Sequence, residues 1–283
     1  MPSIDHPTRT AAWHAAVAAW CLDQLGRRPR DRALVVGLNG PQGAGKSTLV
    51  RALEGLLAAH GVRAVGVSID EFYLPRTEQV RLALRHPENP LLQARGHAGT
   101  HDVALGAQTL DALTRLPAGQ TQRVPTYDKT AFDGRGDRLP VEQWRTVVGP
   151  VDVVLVEGWM LAFAPVGAQC WRSALGSPPL AWVEVDANLA PYDAWTQRLD
   201  ALVQLTVDDP RQVAAWRIDA ERRVRQQGRP AMTENQAAAY VELFLPAYRV
   251  YPQALGARPP VAPDRYWQLQ LGSDRLPTMQ CQF

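Results

Sequence analysis

Hydrophobic positions along the chain follow two periods that take turns. Residues 8–25 set Trp13, Val17, Trp20, Cys21 and Leu25 three and four apart, the stripe of an amphipathic helix. Ala33-Leu34-Val35-Val36-Gly37-Leu38 is then an unbroken apolar run, which predicts a buried strand. Helical spacing returns with Leu49, Leu53, Leu56 and Leu57 and stops at His60-Gly61. Residues 62–69 predict a second strand, 151–157 a third and 202–207 a fourth. Strands separated by helices predict an α/β fold, with helices flanking a mainly parallel sheet.

Between these elements the pattern is less regular. Residues 74–100 are rich in Pro, Arg and His and read as an irregular excursion. Thr100-His101-Asp102 opens a helical stretch through Leu116, with Asp102 placed as its N-cap or as a ligand contact. Val124 to Lys129 is short and extended, and Asp133-Gly134-Arg135-Gly136-Asp137-Arg138 is a tight, exposed turn. Residues 164–200 are mixed: Pro178-Pro179, then Val183 to Trp195 with a short strand and a short helix expected. Asp209 and Pro210 supply N-cap and N1 of a further helix that ends at Gly228-Arg229-Pro230. Thr233-Glu234-Asn235-Gln236 is a capping box, and the helix behind it carries Tyr240, Val241, Phe244 and Leu245 until Pro246 interrupts it. Residues 254–263 read as a proline-rich connector and 266–271 as a final strand.

Composition narrows the class. The chain has 283 residues, 46% apolar and 20% charged, as a soluble globular protein has. A formal charge of +2 gives no bias toward nucleic acid or membrane, and no apolar run approaches the roughly 20 residues of a membrane span. Met1 to Arg9 lacks a signal-peptide pattern, and three distant cysteines match no metal spacing, so a cytoplasmic protein with reduced thiols is expected. Of 30 basic residues only Lys46 and Lys129 are lysine. Against so strong an arginine preference, each retained lysine suggests a site that needs a compact ammonium.

Lys46 closes Gly40-Pro41-Gln42-Gly43-Ala44-Gly45-Lys46-Ser47, a P-loop between strand and helix. Backbone N–H groups of Gly40, Gln42, Gly43, Ala44, Gly45, Lys46, Ser47 and Thr48 would cradle the phosphates of ATP, and the Ser47 hydroxyl would ligate Mg²⁺. The third strand ends in Glu157, a Walker-B acid that would help hold the metal. Asp70, at the end of the second strand, faces the phosphate site and would accept a proton from an attacking hydroxyl or bind Mg²⁺ through water. Arg217, Arg222 and Arg225 ride one helix, which reads either as a solvated face paired through Glu221 or as a lid closing over the triphosphate.

Taken in order, these stretches resemble the D-glycerate 3-kinase family, within the larger group of phosphoribulokinase, uridine kinase and bacterial pantothenate kinase. The resemblance rests on the P-loop, Ser68 to Leu74, Asn89-Pro90-Leu91-Leu92 with Arg95-Gly96, and Gly99-Thr100-His101-Asp102. It continues through Pro125 to Lys129, Gly134 to Arg138, Glu157-Gly158-Trp159-Met160, Trp216-Arg217 and Phe244 to Tyr248. It implies a P-loop NTPase three-layer fold and Mg²⁺- and ATP-dependent phosphorylation of D-glycerate at its 3-hydroxyl. Asp70 matches the general base of the larger group. The family commonly has Asp-Asp there, whereas this chain has Asp70-Glu71.

One kinase domain over 1–283 is thus expected, with an N-terminal helix (1–31), a nucleotide-binding core (33–70), an acceptor-binding insertion (74–140) and a lid (209–232). Lys46, Arg217 and Arg222 would stabilise transferring charge with Asp70 as base. Asp70, Arg95, His101, Tyr127, Lys129 and Arg135 would contact the acceptor, with Ser47 and Glu157 on the metal. Two rivals stay open: a same-fold kinase for pantothenate, a nucleoside or a sugar phosphate, and a nucleotide-switch ATPase acting on a protein partner. Oligomeric state is not readable.

Overall fold

A computed structural model describes residues 6–28, 31–176, 180–226, 228 and 231–282. The chain opens with α1 (His6–Gly26), β1 (Leu34–Asn39), α2 (Lys46–Ala58) and β2 (Ala64–Ser68). It continues with α3 (Arg76–Arg85), α4 (Val103–Thr114), β3 (Thr121–Val124), β4 (Tyr127–Asp128), β5 (Asp137–Arg138), β6 (Arg145–Val148) and β7 (Val153–Gly158). Then come α5 (Gly167–Leu175), α6 (Leu180–Ala187), α7 (Asp193–Thr196), β8 (Ala201–Val207) and α8 (Gln212–Gln226). The last elements are α9 (Glu234–Glu242), α10 (Leu245–Ala257), β9 (Tyr266–Leu271) and β10 (Pro277–Gln282).

Six strands form one sheet in the order β10-β9-β8-β1-β7-β2. All neighbours are parallel except β10, which pairs antiparallel with β9. The apolar runs explain the layering, because alternate side chains of a buried strand enter opposite cores. Leu34, Val36 and Leu38 of β1 pack with Trp13, Val17, Leu49, Leu53 and Leu57 of α1 and α2. Val35, with Val154 and Val156 of β7, joins the opposite core built on Leu110, Trp195, Phe244 and Tyr251. No helix among the described residues is long and apolar enough to cross a membrane.

Several segments differ from their sequence patterns. Residues 76–85, expected to be irregular, form α3. Only Gln79 and Leu82 of that helix are buried, so no apolar stripe announces it. Residues 183–195 hold no strand. Trp182, Val185, Asp186 and Leu189 are buried at spacings of three, one and three, a helical face that the local apolar-polar alternation conceals. α10 runs to Ala257 through Pro252, inside what reads as a connector. The extended stretch expected at 124–129 holds β4, whereas β3, β5, β6 and β10 rest on runs too short or too polar to stand out. The Asp209 carboxylate accepts the Arg211 N–H (3.0 Å), as a cap would, while the α-helix proper starts at Gln212. Arg229 and Pro230, the expected end of the helix from Pro210, and the Pro178-Pro179 pair lie outside the described residues.

Candidate active site

The parallel register brings the chemistry to one edge. β7 pairs with β1 through Glu157↔Leu38 and with β2 through Ser68↔Glu157. Glu157 therefore sits between the end of β1, where the phosphate loop begins, and the end of β2, where Asp70 begins. The loop turns through Gly43 (φ +76°) and Gly45 (φ +89°), left-handed conformations that glycine adopts without steric cost. Gly45 caps α2, so the first residues of that helix, Lys46 onward, present unpaired N–H groups to the loop interior. The Asn39 amide donates to the carbonyls of Leu161 (2.7 Å) and Trp159 (3.3 Å), anchoring the loop's start to the chain after β7.

Inside the loop the Lys46 ammonium donates to the Pro41 carbonyl (3.0 Å). Burial pushes its pKa down, opposed by Glu157 and Asp70. The Ser47 hydroxyl donates to Glu157 Oε1 (2.7 Å). This hard-oxygen pair beside a phosphate cradle suits Mg²⁺, which keeps several waters and takes few protein ligands. Three or more His, Cys, Asp or Glu side chains gathered for a metal are absent among the described residues.

Opposite the loop, Ser68 caps a 3₁₀ turn over Ile69–Phe72 and accepts the Asp70 N–H (3.3 Å). Lys129 Nζ lies 2.5 Å from Asp70 Oδ2. Both lysines of the chain therefore come within the electrostatic reach of Asp70. Burial would raise the Asp70 pKa, but the Lys129 ammonium outweighs it and holds the carboxyl below the usual range. Burial likewise works against the Lys129 charge, and Asp70 keeps that ammonium above its ordinary value. Neighbouring Glu71 has no such partner close by. Burial pushes its carboxyl up to about 7 against the pull of Arg145, and its Oε2 is buried without a hydrogen bond.

Arginine builds the platform under Lys129. β4 and β5 form a hairpin. Arg138 on it donates to the carbonyls of Tyr73 (2.8 Å) and Phe72 (3.3 Å) and pairs with Asp102 (3.2 Å). Asp102 also caps α4 through the Leu105 N–H (3.0 Å). Arg95 donates to the carbonyls of Gly134 (2.8 Å), Arg135 and Lys129 (3.3 Å) and lies over the Tyr127 ring. Its guanidinium is thus engaged in holding the 129–135 loop. The Arg135 side chain is exposed on that loop.

His101 is buried at 6% exposure against Tyr73. The Tyr192 oxygen accepts the Gly99 N–H (3.0 Å), and its hydroxyl proton has His101 Nδ1 (2.8 Å) as acceptor. In the tautomer where Nδ1 accepts the Tyr192 hydroxyl proton, the ring proton sits on Nε2, which is buried and has no partner among the described residues. Burial pushes the His101 pKa down to about 3, so the ring is neutral, and in that tautomer Nε2 is its free donor.

The arginines of α8 divide. Arg217 pairs with Glu221 (2.5 Å) and lies over the Tyr240 ring (5.1 Å). A Cβ placed on Gly96 would stand 3.9 Å from the Tyr240 hydroxyl, so Arg217 is on the Arg95–Gly96 side of α8. Arg222 turns to α9, pairing with Glu234 (2.8 Å) and with Asp219 (3.7 Å), and is not gathered with the others. Glu221 accepts the Met232 N–H (2.9 Å) rather than pairing with Arg225. Sequence reasoning missed Tyr192, Tyr240 and Arg138 in these roles. Only Arg138 lay in a motif that pointed at the site.

No family model matches the chain. Over 234 residues it is 35% identical to an uncharacterized kinase of Schizosaccharomyces pombe, covering 79% of this chain and 83% of that protein. It is 37% identical to the chloroplastic D-glycerate 3-kinase of Arabidopsis thaliana over 98% of its length. The D-glycerate 3-kinase of Cryptococcus neoformans superposes with a TM-score of 0.87 at 29% identity, over 96% of this chain and 99% of that one.

The chain belongs to the D-glycerate 3-kinase family of P-loop kinases. It spans 62% of the length of the Arabidopsis relative. In this member of the family the hairpin platform hangs on Arg138, whose side chain is only 10% exposed. Arg138→Ala should cost about 1.5–3 kcal/mol of stability, because the carboxylate and carbonyls it serves lose a charged donor. Urea unfolding measures that cost. Limited proteolysis should show new cleavage within residues 129–138, and an unchanged digest would refute the staple.

Proposed function

We propose that the protein is an ATP-dependent kinase that phosphorylates D-glycerate at its 3-hydroxyl, giving 3-phosphoglycerate and ADP. The observation that carries this reading is the Asp70–Lys129 pair at 2.5 Å, set across from the Lys46 loop in a chain of this family. In the proposed arrangement residues 33–70 hold the nucleotide, 74–140 the acceptor, and 209–232 act as the lid. Lys46 neutralises the outer phosphates, and loop N–H groups from Gly40 to Thr48 cradle them. Ser47 and Glu157 would hold Mg²⁺, which would offset the charge of the phosphates.

Glycerate needs a cation for its carboxylate and a base beside its 3-hydroxyl. Lys129 and Asp70 offer both on adjacent atoms, with Arg135 exposed beside them. As the 3-hydroxyl oxygen attacks the γ-phosphorus, its proton passes to Asp70. The bond to the β-phosphate oxygen breaks, and ADP leaves with the electron pair. Arg217 would supply charge from the lid, with Arg222 reaching the site only if its pairing to Glu234 is released. Arg95 and Tyr127 keep the Lys129 loop in place, and the neutral His101 donor serves an acceptor oxygen.

An ATP-consumption screen over D-glycerate, pantothenate, uridine and ribulose 5-phosphate should show turnover with D-glycerate. Equal hydrolysis with and without each acceptor would end the kinase reading. Asp70→Asn should lower kcat about 10²–10⁴-fold while leaving ATP affinity near that of the wild type.

Lys129→Met removes the cation that holds Asp70 ionised. Burial is then opposed only by smaller effects such as the Tyr73 hydrogen bond, and the Asp70 pKa rises, so the base protonates earlier as pH falls. The acid limb of kcat/KM against pH should move upward by about 1–3 units. A fixed acid limb would dissociate the pair from the reaction.

For His101, glutamine keeps an amide donor near the Nε2 position, whereas asparagine keeps one only near Nδ1. His101→Asn should raise the KM for D-glycerate about tenfold, with a smaller rise for His101→Gln and no change in the KM for ATP. The reverse order would assign His101 to its Tyr192 contact alone.

A further inference from the structure

A residue with no place in any motif touches the phosphate loop from behind. Arg275 lies in the turn between β9 and β10, where the Gly272 N–H donates to the Leu276 carbonyl (2.9 Å) and the Arg275 N–H to the Gly272 carbonyl (3.0 Å). Its backbone is left-handed (φ +63°), a conformation that costs a non-glycine residue and persists where the surroundings hold it. The side chain explains what holds it. Arg275 Nε donates to the Gly43 carbonyl (2.9 Å), and Nη2 reaches the Trp216 carbonyl (3.4 Å). The guanidinium lies over the Trp216 ring, 5.4 Å from its centroid, with Asp219 at 3.8 Å.

The turn is itself clamped. The Trp216 indole donates to the Ser273 carbonyl (2.8 Å), and His6 of α1 bonds the Asp274 carbonyl (2.8 Å). Trp216 also backs the loop directly, since a Cβ on Gly43 would stand 2.8 Å from Trp216 Cβ. Arg275 therefore acts from a fixed base.

Geometry then sets the consequence. In a trans peptide the carbonyl of one residue and the N–H of the next point in opposite directions. The Gly43 carbonyl points out to Arg275, so the Ala44 N–H points in. The contacts agree: the Ala44 N–H donates to the Pro41 carbonyl (3.3 Å), the same oxygen that takes the Lys46 ammonium. Two donors converging on one oxygen inside the loop mark where an anion's oxygen would be received.

We infer that Arg275 is a positioning residue for the phosphate cradle: by holding the Gly43 carbonyl outward, it aims the Ala44 N–H at the nucleotide's phosphates. This rests on the nucleotide reading of the loop given above. Arginine suits this role because its planar fork spans the Gly43 and Trp216 carbonyls together, which an ammonium on a flexible stem does not.

The test compares Arg275→Gly and Arg275→Lys with the unaltered protein. Glycine relieves the left-handed backbone, so loss of folding does not mask loss of the latch. Binding of ADP with Mg²⁺ is measured by calorimetry, alongside the KM values for ATP and D-glycerate and the melting temperature. Losing one aligned donor to a charged phosphate should weaken ADP about tenfold in Arg275→Gly. Arg275→Lys should fall between, and the KM for ATP should rise with the KM for D-glycerate unmoved. Wild-type ADP affinity in Arg275→Gly overturns the inference, as do equal rises in both KM values. Failure of the unaltered protein to bind ADP overturns the nucleotide reading and this inference with it.

Discussion

At the centre of the sheet, parallel pairing of β7 with both β1 and β2 sets Glu157 level with Leu38 on one side and Ser68 on the other. Everything chemical is placed from that alignment. The loop leaves β1 one residue beyond Asn39, and Asp70 leaves β2 two residues beyond Ser68. Alternate side chains of a strand face opposite ways, so a slip of one residue would turn Glu157 away from Ser47 and into the wrong core. The dense packing of Val and Leu on both faces forbids that slip. Burial of apolar surface thus fixes the distance between a hydroxyl and a carboxylate that share no sequence neighbourhood.

A second tier is hung from this edge by polar contacts rather than by packing. The β4–β5 hairpin has little apolar material, and Arg138 and Arg95 hold it through main-chain carbonyls. Guanidinium groups suit such work because several donors lie in one plane. The ammonium of Lys129 is left to face Asp70 alone, where a compact charge offsets the cost of burying a carboxylate. The two kinds of cation thus play different parts, with Arg138 and Arg95 fastening the scaffold and Lys129 pairing with Asp70.

Much of this was legible in the residues. Strands with continuous Val and Leu runs, the glycine turn before Lys46 and the acids at strand ends all declare themselves through period and composition. Helix α3 did not, because a helix that buries only two side chains leaves no stripe. α6 was concealed by local alternation, its helical face visible only once Trp182, Val185 and Leu189 are seen facing one core. Tyr192, Tyr240 and Arg275 share another obstacle. Each acts through a contact more than twenty residues away, and such contacts follow from topology, which no local window contains. Arg222 shows the converse: its sequence position beside Arg217 suggested a shared role, yet the helix turns it to Glu234.

The near absence of lysine has a practical side. Lys46 and Lys129 are the chain's whole set of side-chain amines. Lys129 is 55% exposed while Lys46 is buried at 8%. Acylating reagents thus meet few competing surface amines and distinguish these two by accessibility. Under the proposed function, amine-directed labelling at Lys129 would report whether the acceptor is bound, with no engineered handle.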